Sequence, residues 1–437
     1  MTAASRLLEA ARDIFEHVAE RLDSPFSVRL WDGSVIPLGP NAEPALLITI
    51  GRPGVIGALI RRPTLETLLR QYAAGGIDFS GADMLTFIEA ARRKKIKIKP
   101  SQFRVGYLML RTLPLLFAPA AKADLRHEFA GDETGRDRSG RGDKDFIQFH
   151  YDVSNEFYGL FLDPEMQYSC AYFTDWNNSL EEAQRDKLDM ICRKLNLQPG
   201  DRFLDVGSGW GGLLCHAASN YGVTAHGVTL SEKQYEYTVQ KVRRLGLADR
   251  VKVELRSYET LDGEYDKIAS IGMYEHVGIA NYPAYFGKLN RLLRDRGILL
   301  NHGITRRAKA SRRRFKRIRP EKRLMLKYVF PGSELDHIGH SLAIMEAQGF
   351  EVHDVEGWRE HYARTCRLWH QRLVANRDQA IAIVGPEKYR IWIAYLAGVS
   401  FAFADGGLRI YQTVATKHRG KGASTLPPTR AHLYHGR

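Results

Sequence analysis

Gly207, Gly209 and Gly212 lie in the segment Leu204-Asp205-Val206-Gly207-Ser208-Gly209-Trp210-Gly211-Gly212, a G-x-G-x-x-G pattern placed between an apolar strand and a helix. Glycines at that spacing let backbone amides approach an adenosine-type cofactor closely. The pattern by itself also fits a dinucleotide. Two features argue against one. Asp205, directly before the first glycine, suits an amino or hydroxyl group and would repel a pyrophosphate. The next strand ends at Gly227-Val228-Thr229, without the carboxylate that grips a dinucleotide ribose. S-adenosylmethionine, which carries no phosphate, satisfies both.

The elements that must position this loop follow from the patterning. From Asp145 onward strands alternate with helices, the mark of a parallel α/β sheet. Strands are expected at 202–206, 224–228, 251–255, 265–271 and 297–301, with a helix at 180–195. Ser231-Glu232-Lys233-Gln234 reads as a capping box opening a further helix. Residues 1–120 read as a small α+β module: a helix, strands at 26–31 and 45–50, then helices near 62–72 and 81–92. The stretch 121–144 holds GDETGRDRSGRGDKD, too polar to pack, and is read as a linker between the module and a second domain at 145–437. A length of 437 residues allows two to three domains. Apolar residues at 44% and charged residues at 26% are globular proportions and exclude a mostly disordered chain.

Other reactive side chains are ambiguous alone. Cys170 has no activating base near it in sequence and reads as a small buried hydrophobe. Glu275-His276 follows a strand as an ordinary loop pair would. His302 ends an apolar strand, where a satisfied core histidine is usual, and Tyr362 sits in a helix as packing. His337 and His340, three apart, read as a helix cap region with exposed histidines, and no metal is expected. The four cysteines are scattered, with no C-x-x-C, so a reducing, cytoplasmic setting fits.

Taken in order, a longer set of segments resembles the cyclopropane-fatty-acyl-phospholipid synthases and the related mycolic-acid methyltransferases. It comprises His150-Tyr151-Asp152, Asn155-Glu156-Phe157-Tyr158, Tyr168-Ser169-Cys170-Ala171-Tyr172-Phe173, the Asp205 loop and Gly227-Val228-Thr229-Leu230-Ser231 with Gln234. Ser270-Ile271-Gly272-Met273-Tyr274-Glu275-His276-Val277-Gly278, Asn301-His302-Gly303-Ile304, Phe330-Pro331-Gly332 and His361-Tyr362-Ala363-Arg364-Thr365 complete it. The segment Tyr72-Ala73-Ala74-Gly75-Gly76-Ile77-Asp78-Phe79-Ser80-Gly81 resembles the additional N-terminal module of the phospholipid-acting members.

The resemblance implies a Rossmann-like, mainly parallel methyltransferase domain using S-adenosylmethionine. In that family an acyl-chain alkene attacks the sulfonium methyl, leaving a carbocation on the chain, and a bound bicarbonate removes a proton so that a ring closes. Carried onto this sequence, the ion is held by Glu275, His302, Tyr362 and the backbone at Cys170 and Ile304. The cofactor is held by Tyr168, Ser169, Asp205, Gly207, Gly209, Thr229, Leu230 and Gln234, with Tyr258 and Glu259 near the adenine. A carbocation does need negative charge close by in a water-poor pocket. The chain departs from the family at Ser208, at Gly303 in place of Thr, and at Ser333 to His340. A product that is methyl-branched or keeps an alkene is therefore an alternative to a cyclopropane. Family analogues suggest a homodimer.

Net charge is +14. Between Arg306 and Arg323 lie eleven Lys or Arg against Glu321 alone, a local +10. Such a run attracts phosphodiesters or anionic lipid headgroups. Nucleic acid is the weaker reading: the Pro-Pro signature of amino-group methylation is absent, and the run has one aromatic residue, Phe315, for stacking. A lipid-binding module with a decayed catalytic domain is a third reading, opposed by the intact Glu275, His302 and Tyr362. An anionic phospholipid membrane with unsaturated acyl chains is the expected partner, and peripheral attachment to the inner membrane face the expected location. The opening residues read as an amphipathic helix rather than a secretory signal, and the apolar stretch 103–120 is too broken by Arg104, Arg111 and Pro114 to span a bilayer.

Overall fold

The computed structural model describes residues 2–94, 104–119, 123, 125–129, 154–418 and 422–434. Most of the expected linker, and His150-Tyr151-Asp152, lie outside the described residues. The chain divides into two compact units: Met1–Glu128 with Ile318–Leu324 and Arg377–Ala397, and Phe129–Arg317 with Met325–Asn376 and Gly398–Arg437.

The first unit contains one four-stranded sheet with helices among the described residues. Strands β1 (Ser27–Arg29), β2 (Val35–Pro37), β3 (Leu47–Ile50) and β4 (Ile77–Ser80) form a sheet in the order β2-β1-β3-β4. Helices Ala3–Ala19, Pro53–Arg61 and Val105–Leu116 supply Ala10, Ala11, Val55, Ile56 and Leu115 to a core shared with Val28, Ile36 and Ile77. Thr64 and Asp83 cap the helices Leu65–Ala73 and Met84–Arg93 by accepting backbone amides. The unit also takes in 377–397, which the sequence reading assigned to the domain at 145–437. The cause is polar. Arg390 donates to the carbonyls of Tyr72 and Ile77 and to Asp78, and Glu387 accepts from the backbone of His127.

The second unit is built on a seven-stranded sheet. Its strands are β5 (Arg202–Val206), β6 (Thr224–Thr229), β7 (Val251–Leu255), β8 (Tyr265–Ile271), β9 (Leu293–Arg306), β10 (Phe350–Gly357) and β11 (Leu408–Lys417), in the order β10-β11-β9-β8-β5-β6-β7. The pairs β9-β8, β8-β5, β5-β6 and β6-β7 are parallel, and β11 is antiparallel to both neighbours. The expected strands appear with matching or nearly matching bounds. One differs: β9 runs past Asn301 to Arg306, because β11 pairs with it as far as Arg306. His302 is therefore inside the strand rather than at its end. The helix Leu180–Lys194 opens with a full capping box at Ser179 and Glu182. Ser231 caps the next expected helix by accepting from the Gln234 amide. Core residues on the two faces of the sheet, such as Leu214, Ala217 and Phe203 on one and Leu289, Leu293 and Phe286 on the other, are fully buried. No helix among the described residues is long and apolar enough to cross a membrane.

Candidate active site

The carboxyl ends of β5, β6 and β8 open into one cleft of about 940 Å³, counted to its open mouth. Such ends are where doubly wound sheets bind ligands. Gly207 and Gly209 adopt positive φ at the turn after β5. Behind them Gly211 also has positive φ, and a Cβ there would lie 2.4 Å from Thr238, so only glycine allows that approach. Tyr168, Ser169, Asp205, Gly207, Gly209, Thr229, Leu230, Gln234 and Tyr258 all line the cleft. Glu259 does not: it is exposed, and its backbone amide bonds to Ser257. The 3-10 turn Tyr258–Thr260 aims the tyrosine inward and leaves the glutamate outside.

The cleft floor is polar and buried. Asp205 is buried, and its Oδ1 has no hydrogen-bond partner among the described residues. Burial pushes its pKa up to about 7, against the pull of the Lys187 ammonium. Lys187 is itself buried, donates to Gln167 and Ser169, and is lowered by burial to about 8. An orphaned carboxylate oxygen facing a cleft with glycine-rich walls fits the donors of S-adenosylmethionine, and the aromatic face of Tyr258 fits its adenine.

The remaining residues cluster directly beyond. Gly272 and Met273 line the cleft and lead into a short helix, Tyr274–Val277, that carries Glu275. Glu275 is buried. Its Oε1 accepts from the Ile304 backbone amide at 2.6 Å, and its Oε2 has no partner among the described residues. Burial raises its pKa to about 7, with the Ile304 hydrogen bond opposing. The amide of Ile304 is thus already engaged by Glu275, where the family resemblance had assigned that backbone to the ion. Cys170 is buried with its thiol near the carbonyls of Ala171 and Trp358, and burial holds the thiol well above its ordinary pKa. It is no nucleophile. Tyr362 stands on the helix Arg359–Ala375 against Phe403 and Trp369, and Trp369 also meets Tyr168, a cleft residue. Aromatic rings therefore run from the cleft to Tyr362.

His302 has a defined proton. Lys194, buried on the helix Leu180–Lys194, carries only donors, and its ammonium lies 2.8 Å from Gln412 Oε1. The amide of Gln412 is thereby oriented, and its Nε2 donates to His302 Nδ1 at 3.0 Å. An acceptor at Nδ1 leaves the proton of the neutral ring on Nε2. Burial, reinforced by the Lys187 and Lys194 ammonium groups, holds the ring neutral. Nε2 is buried without a partner among the described residues. His302 thus carries an unsatisfied buried N–H donor, and Glu275 an unsatisfied buried carboxyl oxygen, among the described residues. The chemistry of each atom suits a small oxyanion such as bicarbonate, which can accept from the His302 N–H and donate to the Glu275 carboxyl oxygen.

Lys187, Lys194, Gln167 and Gln412 were missed in the sequence. A signal existed: Ala183, Lys187, Ile191 and Lys194 share the buried stripe of one helix, and Gln412 falls between Ile410 and Val414 on an inward face. His337 caps the helix Ile338–Ala347 by accepting from the His340 amide; His340 is exposed, as expected, and His337 half-buried. Gly303 explains one departure from the family pattern. A Cβ there would lie 2.7 Å from the Tyr274 ring. Gly303→Ala is expected to cost about 1–3 kcal/mol of stability through overpacking, read as a lowered thermal midpoint.

The comparisons agree with this geometry. A family model described as mycolic acid cyclopropane synthetase matches residues 139–413. A probable fatty acid methyltransferase of Pseudomonas putida is 37% identical over 421 residues, covering 95% of this chain and 98% of the relative. Cyclopropane mycolic acid synthase 1 of Mycobacterium tuberculosis is 37% identical over 279 residues, covering 62% and 96%. The solved mycolic acid cyclopropane synthase CmaA1, complexed with SAH and CTAB, superposes with a TM-score of 0.59 at 37% identity, covering 63% of this chain and 98% of that one. With its glycine-loop cleft at the carboxyl ends of a mainly parallel sheet, the chain belongs to the mycolic acid cyclopropane synthetase family and is an S-adenosylmethionine-dependent methyltransferase.

Proposed function

We propose that this enzyme transfers a one-carbon unit to the double bond of unsaturated acyl chains in membrane phospholipids and closes it to a cyclopropane. The observations that carry this reading are two buried polar atoms without partners among the described residues, His302 Nε2 and Glu275 Oε2, on residues that the family's ordered motifs bring together. Simple methyl transfer to an amine or hydroxyl needs no anion site in a water-poor pocket. A carbocation does.

S-adenosylmethionine, when bound, supplies an electrophilic methyl group, and Asp205 and the glycine turn hold its polar groups. A bicarbonate ion held by His302, Glu275 and Tyr362 would supply the base for the last proton. The protein does the rest. Ile304 fixes the Glu275 carboxylate, whose charge lowers the energy of a neighbouring cation. The rings of Tyr168, Trp369, Tyr362 and Phe403 exclude water that would trap that cation as an alcohol, and their faces favour positive charge. His302 keeps an N–H aimed at an anion.

The basic run supports a bilayer as the source of substrate. Arg307, Lys309, Arg313, Arg314, Arg317, Arg319 and Arg323 are exposed. Replacing Arg313, Arg314 and Arg317 together by Ala is expected to weaken binding to anionic vesicles tenfold or more, at about 1 kcal/mol per basic residue. Cofactor affinity should be unchanged, and raised salt should erase the difference. The reading itself is tested by incubating the full chain with S-adenosylmethionine and vesicles of mono-unsaturated phosphatidylglycerol. Mass spectrometry should find acyl chains heavier by one CH2, and unaltered lipid would overturn it.

A further inference from the structure

We propose that the outward face of the helix Val105–Leu116 is a bilayer-docking surface that seats the enzyme on anionic phospholipid. This rests on the reading above that the substrate lies in a membrane.

The helix has two unlike faces. Its inner face is fixed: Leu115 is fully buried with Ala10, Val55 and Ile56, its carbonyl lies 2.3 Å from where a Cβ on Gly57 would stand, and Arg111 pairs with Asp13 at 3.0 Å. Its outer face is exposed among the described residues. From Gly106 to Phe117 the exposed residues are Gly106, Met109, Leu110, Leu113, Pro114 and Phe117, every one apolar. Met109 is 63% exposed, Leu110 68%, Leu113 51% and Phe117 82%. Of the thirteen large apolar side chains exposed among the described residues, these four gather on one short helix, which scattered surface hydrophobics do not do.

Charge selects the occupant. The sequence leading into this helix, residues 92–104, holds seven Lys or Arg (Arg92, Arg93, Lys94, Lys95, Lys97, Lys99 and Arg104) and no acid. A second copy of the chain placed symmetrically on this face would bring a second exposed Arg104, at the head of the helix, towards the first, like charge against like. An anionic bilayer takes both features at once: the apolar residues enter the acyl boundary while Arg104, exposed at the head of the helix, meets the headgroups.

The test uses the full chain and vesicles of diphytanoyl phosphatidylglycerol and diphytanoyl phosphatidylcholine in equal amounts, fluid lipids without a double bond. Binding is then read independently of any reaction. Leu110→Asn with Phe117→Asn should lower the vesicle partition coefficient about tenfold or more, since each residue loses most of its transfer energy. Both residues are exposed, so circular dichroism and melting should match the wild type. As a second readout, Phe117→Cys carrying an environment-sensitive fluorophore should shift to the blue on mixing with vesicles; the four native cysteines are buried and stay unlabelled. Unchanged partition together with no spectral shift would overturn the proposal. So would a double variant that loses a dimer by light scattering while binding vesicles normally, which would give the face to a second copy. Normal vesicle binding by a wild type that leaves mono-unsaturated phospholipid unmodified would support the surface while overturning the proposed reaction.

Discussion

Glu275→Gln is expected to lower turnover by about 10²–10⁴-fold while leaving S-adenosylmethionine affinity within a few-fold of the wild type. The amide keeps the shape and can still accept from Ile304, but it removes the negative charge next to the reacting chain. The pH profile separates this from a packing effect. Burial lifts the Glu275 carboxyl from 4.5 to about 7, and the ionised form is the one that stabilises a cation. Turnover at saturating cofactor should rise with pH and level off above about 7, and this limb should disappear in Glu275→Gln. Asp205 is lifted to a similar value, but Asp205→Asn should raise the cofactor KM instead.

The same shift has a stability consequence of definite sign. A carboxyl whose pKa is raised by folding binds its proton more tightly in the native state, so stability falls as pH rises from about 4.5 to 7 and stays reduced above that. Glu275→Gln should therefore melt higher than the wild type at pH 8 and gain less at pH 5.

The second large effect is expected at a residue outside the pocket. Gln412→Glu should reduce turnover about as strongly as a misprotonated catalytic histidine does, by 10²-fold or more. A carboxylate at 412 would still accept from Lys194, but it would also accept from His302, drawing the ring proton to Nδ1. Nε2 would then face the pocket as an acceptor. Gln412→Leu should cost less, because it removes the constraint without imposing the wrong tautomer. Lys194 keeps Glu356 as partner in both variants, so folding should survive. Nitrogen-15 spectra of labelled histidine should show the His302 proton on Nε2 in the wild type and on Nδ1 in Gln412→Glu. A wild-type ring protonated at Nδ1 would refute the relay.

Much of the second unit was legible because its signals are local. The glycine loop, the Ser231 helix cap and the short parallel strands each announce themselves within ten residues, and β5, β7 and β8 fall where the alternation puts them. Asp205, Glu275, His302 and Tyr362 are singled out by ordered motifs rather than by periodicity. What sequence could not supply was the partner of each. Lys194 meets Gln412, far along the chain, only because β11 inserts between β9 and β10. The 377–397 segment joined the first unit through Arg390 and Glu387, hydrogen bonds that no local pattern encodes. Glu259 was carried over with Tyr258, and a single 3-10 turn sends the two side chains in opposite directions.

The central claim is that a cation on the acyl chain loses its proton from the newly added methyl group. The most direct measurement supplies S-adenosylmethionine whose methyl carries three deuterium atoms, with vesicles of mono-unsaturated phosphatidylglycerol, and reads the product by mass spectrometry and proton NMR. A cyclopropane formed as described keeps two deuterium atoms, has no alkene protons and shows upfield ring protons. A product that keeps all three deuterium atoms and an alkene or a branched chain would mean that the proton left the chain itself, and would contradict the account.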